Sequence, residues 1–211
     1  MDVRLPCGFS MLIVGASGSG KSVFTKNLLK SKDIVMKNAP NRILWCYGVY
    51  QPLFDQLKNT IPNISFHNGI PSLEMLKSGN FILIIDDLML EAQSNQLISD
   101  IFTKFCHHYN ITCILIMQNL FPKGKQMRNI SLNANYIVLM KNSRDKAQIR
   151  TLAAQMYPGN VAFLTKAFED ATRKPFSYLL LDCRNDSDDG VRVRTGILPH
   201  EVQYVYKPLA Q

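Results

Sequence analysis

A chain of 211 residues with 46% apolar content and 11 glycines is long enough for one well-buried domain and short for two complete ones. No run approaches the roughly 18 to 20 uninterrupted apolar residues of a membrane span, and the start MDVRLPCGFS lacks the charged-then-apolar pattern of a secretory signal, so a soluble, intracellular protein without a membrane span is expected. The formal charge of +8 suits polyanionic partners such as nucleic acid, and equally a solvated basic surface.

Strand-like apolar runs alternate with amphipathic helical ones from Gly8 to about Leu152, the pattern of crossover units around a mostly parallel sheet, so the class is α/β. In chain order the pattern predicts a strand over Phe9–Val14, a helix over Lys21–Lys30, a strand over Arg42–Tyr47 and a helix over Gln51–Asn59. A short strand at Ile64–His67 and a short helix at Ser72–Lys77 follow. Phe81–Ile85 has no polar interruption, as a central strand covered on both faces requires. Ser94–Tyr109 is a predicted helix, Ile111–Met117 a strand, Phe121–Arg128 a basic loop and Tyr136–Met140 a strand. Helices are then expected over Ser143–Met156 and Val161–Glu169, a strand over Tyr178–Asp182, and a polar turn at Asn185–Gly190. The tail from Val191 reads as a hairpin or extended arm. Residues 1–211 are read as one domain, with a core of about 8–152 and a small β-containing elaboration over about 153–211; a separate C-terminal subdomain stays open. The five cysteines are odd in number and lie mostly in apolar runs, which suits reduced thiols, and Cys106, His107, His108 and Cys113 lack the paired spacing of a zinc finger.

Gly15, Ala16, Ser17, Gly18, Ser19, Gly20, Lys21 and Ser22 fit the G-x-x-x-x-G-K-[ST] pattern, directly after an apolar strand and before a helix. In that pattern the glycines let backbone amides turn around a phosphate, the helix N-terminus adds partial positive charge, Lys21 reaches the β- and γ-oxygens and Ser22 offers a hydroxyl to magnesium. Val23 completes the set of expected nucleotide contacts, and ATP and Mg2+ are the expected cofactors. Asp86, at the end of the buried strand, is placed to hold the metal. Asp87 follows it, either to orient and deprotonate an attacking water or simply to cap the next turn; Glu91 is the reserve base. Gln118 closes the strand Ile111–Met117, either as a polar cap or as a group that touches the γ-phosphate.

The order GASGSGKS, FILIIDDL and ITCILIMQN resembles the additional-strand class of P-loop ATPases and, within it, the FtsK–HerA superfamily, nearest the viral genome-packaging ATPases of poxvirus, giant-virus and Polinton type. The likeness covers roughly residues 8–152. RILWCYG, with Trp45 and Tyr47, is similar to the second strand of that branch, where a buried aromatic strand is the plainer reading than base stacking. Many relatives carry Asp-Glu where Asp86 and Asp87 stand here.

The resemblance implies a homo-oligomeric ring of five or six copies that threads double-stranded DNA into a capsid by ATP hydrolysis. Its implied partners are capsid or portal-vertex proteins, in the host nucleus, in a cytoplasmic viral factory or on the capsid. It also implies an arginine donated by the neighbouring subunit, with Arg128 the first candidate and Arg144 and Arg150 next. Lys123, Lys125 and Arg173 or Lys174 are candidate phosphate contacts on DNA. The alternatives are a helicase or partition-type DNA ATPase, a nucleoside or nucleotide kinase, and a nucleotide switch, although no arginine-rich lid and no N-K-x-D motif is present.

Overall fold

Nine strands form one sheet in the computed structural model, which describes residues 2–88, 91, 95–122 and 124–208. The strands that carry the phosphate loop and the acidic pair are β2 (Ser10–Val14) and β6 (Phe81–Asp86). Between them lies β7 (Thr112–Met117), the strand that ends before Gln118. Beyond β6 come β4 (Arg42–Tyr47) and β5 (Ile64–Asn68), and on the other flank of β2 lies β8 (Tyr136–Met140). All of these neighbours pair in parallel.

The sheet is buried because its central strands are apolar on both faces. Met11, Ile13, Ile82, Ile84, Ile114 and Ile116 point into one cluster, whereas Leu12, Val14, Leu83, Ile85, Cys113 and Leu115 point into the other. This is the period-two alternation of a strand, repeated across three neighbours in register. At about 1.5–3 kcal/mol per fully buried aliphatic side chain, this layer is the main source of cohesion. It also fixes where the strands stop, because the apolar residues run out at one common edge.

The C-terminal strands β9 (Tyr178–Asp182), β10 (Val193–Thr195) and β11 (Tyr204–Tyr206) extend the same sheet in antiparallel order. Antiparallel pairing of Met140 with Tyr178 means that β9 begins at the edge where β8 ends. The buried carboxylate of Asp182 accepts two hydrogen bonds from the Arg184 guanidinium, at 2.9 and 2.8 Å, and lies 3.9 Å from buried Arg194. The ring of Tyr136 on β8 lies beneath the Arg184 guanidinium. Charge and strand pairing thus both bind the C-terminal strands to the core.

Several expectations need correction. The basic loop expected over Phe121–Arg128 is cut short: its second half belongs to a helix, Lys125–Asn133, whose Met127 and Ile130 are buried one turn apart beneath the charged residues. The helix expected over Gln51–Asn59 runs Leu53–Thr60, because Pro52 sits at its N-cap, where its missing N–H costs nothing. Ser143–Lys146 is not helical: Asn142 and Asp145 accept backbone N–H groups two and three residues on, and the helix starts at Ala147. The single helix expected over Ser94–Tyr109 contains a π turn at Ile101–Phe105, which shifts the face so that Ile98, Ile101, Phe102 and Cys106 all remain buried. A further two-stranded parallel sheet, β1 (Leu5–Pro6) with β3 (Met36–Lys37), stands apart. Among the described residues, no helix is long and apolar enough to cross a membrane.

Candidate functional site

The loop after β2 is held by its own glycines. Gly15 donates its N–H to Met117 O at 3.2 Å, tying the loop to β7. A side chain at Gly15 would collide with Ser19 Oγ at 2.6 Å and with Met140 Cβ at 2.8 Å. Gly18 and Gly20 adopt φ of 74° and 99°, a region that other residues enter at a cost. Helix α1 (Lys21–Lys30) starts directly after Gly20, with no side-chain cap and no acidic residue in its first turn. Its leading N–H groups and dipole therefore present positive potential to the cleft above.

That cleft, of about 440 Å³, gathers the motifs that sequence placed far apart. Ser17, Gly18, Gly20, Lys21, Ser22 and Val23 line it. Asp86, Asp87 and Gln118 line it as well, delivered by the ends of β6 and β7 at the same sheet edge. Lys21 Nζ donates to Gly15 O at 2.7 Å and to Ala16 O at 2.9 Å. Burial pulls its pKa down, while the nearby Asp86 and Asp87 carboxylates push it back up. Gly15, Ala16 and Ser19 do not line the cleft.

The two carboxylates are differently built. Asp86 is buried and its Oδ2 has no hydrogen-bond partner. Its pKa is pushed up to about 6, first by burial and then by Asp87; Lys21 and the Trp45 indole N–H counteract in part. The indole N–H nevertheless falls short of hydrogen-bond geometry, so both it and Oδ2 remain unpaired. Asp86 and Ser22 line the same cleft, and a carboxylate with an unpartnered oxygen together with a serine hydroxyl is an oxygen donor set suited to a hard divalent cation. Asp87 is exposed, with φ 56°, so its side chain is turned out of the strand direction. Trp45 itself is fully buried against Phe54 and Phe66, in keeping with the plainer reading of its strand.

Other candidates do not converge here. Arg128 is exposed on helix Lys125–Asn133 and is not part of this cleft's lining. Arg144 is also exposed, and Arg150 lines a separate cleft with Lys141, Lys146 and Arg173. Glu91 is exposed and does not line this cleft. Lys125 and Lys174 are exposed; Arg173 pairs with Asp170 at 2.7 Å; Lys123 lies outside the described residues.

Three residues at or beside the cleft were missed from sequence. Gln51 lines the cleft because the helix begins after it. Gly48 lets the chain after β4 pass against the Asp87 carbonyl, where a side chain would collide with it, and donates its N–H to Asp86 O at 3.2 Å. Phe176, from the loop before β9, lies over Gly20. Only Gly48, the last residue of the RILWCYG run, carried a signal beforehand.

No protein-family model matches the sequence, and no curated protein matches it. Solved structures do match. The DNA-packaging ATPase B204 from Sulfolobus turreted icosahedral virus superposes with a TM-score of 0.56 at 15% identity, covering 97% of this chain and 99% of that one. The genome-packaging NTPase B204 from Sulfolobus turreted icosahedral virus 2, in complex with ATP-gammaS, gives 0.52 at 15% identity over 96% and 98% of the two chains. Its complex with AMPPCP gives 0.52 at 14% identity over 99% and 100%. The chain therefore has the mixed α/β fold, with a large central sheet flanked by helices, of these P-loop genome-packaging NTPases.

Proposed function

We propose that this chain is an ATP-hydrolysing double-stranded DNA translocase that packages viral or virus-like genomic DNA into a capsid, working as a ring of five or six copies. The observation that supports it most is that Lys21, Ser22, Asp86, Asp87 and Gln118 line one cleft. The sequence resemblance to the packaging branch supports the DNA and the capsid or portal-vertex partner, and the fold shared with B204, a DNA-packaging ATPase, agrees with the first of these.

In this reading the N–H groups of the loop and of the start of α1 hold the phosphates, and Lys21 exchanges its carbonyl partners for β- and γ-oxygens. Ser22 and Asp86 would hold magnesium. When bound, that ion would neutralise charge between the β- and γ-phosphates. Asp87 orients the attacking water and takes its proton, and Gln118 contacts the γ-phosphate and changes partner when the bond breaks.

Phosphate release measured with and without duplex DNA tests the proposal. Turnover is expected to rise with duplex, and DNA binding is expected to weaken steeply with salt and show little sequence preference, since Lys125, Arg173 or Lys174 and the undescribed Lys123 would contact phosphates. A requirement for an acceptor nucleotide would favour the kinase, unwinding without packaging the helicase or partition ATPase, and no turnover the switch. Binding insensitive to salt would remove DNA from the proposal.

Arg128 is proposed to act on the neighbouring subunit's nucleotide, which suits its exposure away from its own cleft. Arg128→Ala is expected to bind ATP normally and to hydrolyse it about 10³-fold more slowly. Mixed with Lys21→Ala, it should regain activity at interfaces that pair an intact loop with an intact arginine. Failure of rescue in mixtures shown by mass to co-assemble would reject Arg128 and bring forward Arg144 and Arg150.

A further inference from the structure

Phe176 is the least comfortable side chain at the cleft. It is 68% exposed, although it is a large aromatic residue, and its backbone stands at φ 64°, a left-handed conformation that a bulky residue adopts at a cost. Sterics hold it in place from one side only: a Cβ on Gly20 would lie 3.0 Å from Phe176 Cδ1, so the ring rests on the bare backbone of the phosphate loop. Val23, on the first turn of α1, is 55% exposed and lines the same cleft. Two apolar groups left to water therefore border a cleft whose other walls are polar and charged.

The order of the sheet says which end of a nucleotide they meet. Asp86, Asp87 and Gln118 come from β6 and β7, on one flank of β2. Phe176 precedes β9, two strands away on the opposite flank, and reaches the cleft only because β9 begins at the edge where β8 ends. A triphosphate lying along the loop with its γ-end at the carboxylates points its nucleoside end towards β8 and β9.

We infer that Phe176 stacks on the base of the bound nucleotide, with Val23 as the second apolar contact, and that this surface selects purine nucleotides. The inference rests on the nucleotide reading of the cleft. A ring supported on Gly20 and open on its other face offers a flat π-surface at little further entropic cost, since its backbone is already committed. A purine covers more of that surface than a pyrimidine. The C-terminal residues would then complete the nucleotide site as well as widen the sheet.

The test compares binding of a non-hydrolysable ATP analogue with that of inorganic tripolyphosphate, which carries the phosphates without a base. Phe176→Gly deletes the ring and also suits the left-handed backbone, so its melting temperature should be unchanged or higher. The ATP analogue is expected to bind this variant about 5- to 100-fold more weakly, the range found for aromatic stacking on a base, with tripolyphosphate binding unchanged. Phe176→Trp should retain analogue affinity. Wild-type preference for ATP and GTP over CTP and UTP should shrink in Phe176→Gly. Equal loss for analogue and tripolyphosphate, or no loss for the analogue, would overturn base stacking while leaving the phosphate site intact. If the wild-type protein binds neither ligand, the nucleotide reading itself falls, and the stacking with it.

Discussion

Lys21→Ala is expected to lower ATP hydrolysis by about 10³-fold or more, the scale on which a cation aimed at the transferring phosphoryl group matters, while the fold stays intact. The cleft already holds two carboxylates, both of which act on Lys21, and Lys21 in turn lowers the pKa of Asp86. Without Lys21, a triphosphate entering the cleft meets Asp86 and Asp87 with less positive charge to offset repulsion, since the loop N–H groups, the start of α1 and magnesium would have to do so unaided. The structural cost is small by comparison. The Lys21 side chain is half-buried at the cleft wall, and its hydrogen bonds go to Gly15 O and Ala16 O. Each such bond is worth about 1 kcal/mol, and carbonyls beside an open cleft can turn to water. Phosphate release and a thermal melt on the same preparation separate the two effects. Unchanged turnover in a folded variant would end the phosphate-loop reading.

Much of this site was legible in the sequence because its parts are local or at strand ends. Gly15 to Ser22 is a contiguous motif, and an uninterrupted run such as Phe81–Ile85 announces a central strand whose next residue must emerge at its edge. Gln118 follows from the same logic. The parallel pairing of β6 with β7 and of β7 with β2 then carries the three strand ends to one cleft without any further signal being needed.

Residues delivered by tertiary pairing were not legible. Phe176 reaches the loop only because β9 runs antiparallel to β8, and nothing in TRKPFS states a strand direction. Gln51 was hidden by apolar spacing that carries the helix pattern across Pro52. The helix Lys125–Asn133 was masked by its charges, since only Met127 and Ile130 mark its buried face. Two-residue strands such as β1 and β3 are too short for alternation to show. The hairpin in the tail could be anticipated as an alternative, but its attachment to the main sheet depends on pairing of Val193 with Leu181 across a polar turn.

Asp87→Asn is expected to bind ATP as well as the wild type and to hydrolyse it about 10²-fold or more slowly, the usual scale of a lost general base. Asparagine is the informative replacement, because φ at this position is 56° and Asn tolerates the left-handed region that Ala would enter under strain. Asp86→Asn should behave differently. In the folded protein the Asp86 pKa rises from 3.8 to about 6, so the native state holds this proton more tightly than the unfolded chain. The charged carboxylate therefore costs stability above pH 6, the cost shrinks as pH falls from 6 towards 3.8, and below that it is absent. The shift corresponds to about 3 kcal/mol at neutral pH, so metal-free Asp86→Asn should melt above the wild type at pH 7.5 and lose that advantage in acid. Magnesium should stabilise the wild type at pH 7.5, less so below 6 where a proton competes for the carboxylate, and should not stabilise the variant. Trp45 offers a second readout, as the single tryptophan of the chain, buried and facing Asp86. A magnesium response that survives in Asp86→Asn would remove Asp86 as the metal ligand. Normal hydrolysis by Asp87→Asn would instead transfer the role of base to Glu91, whose place outside the cleft lining would then require the chain after β6 to move inward during turnover.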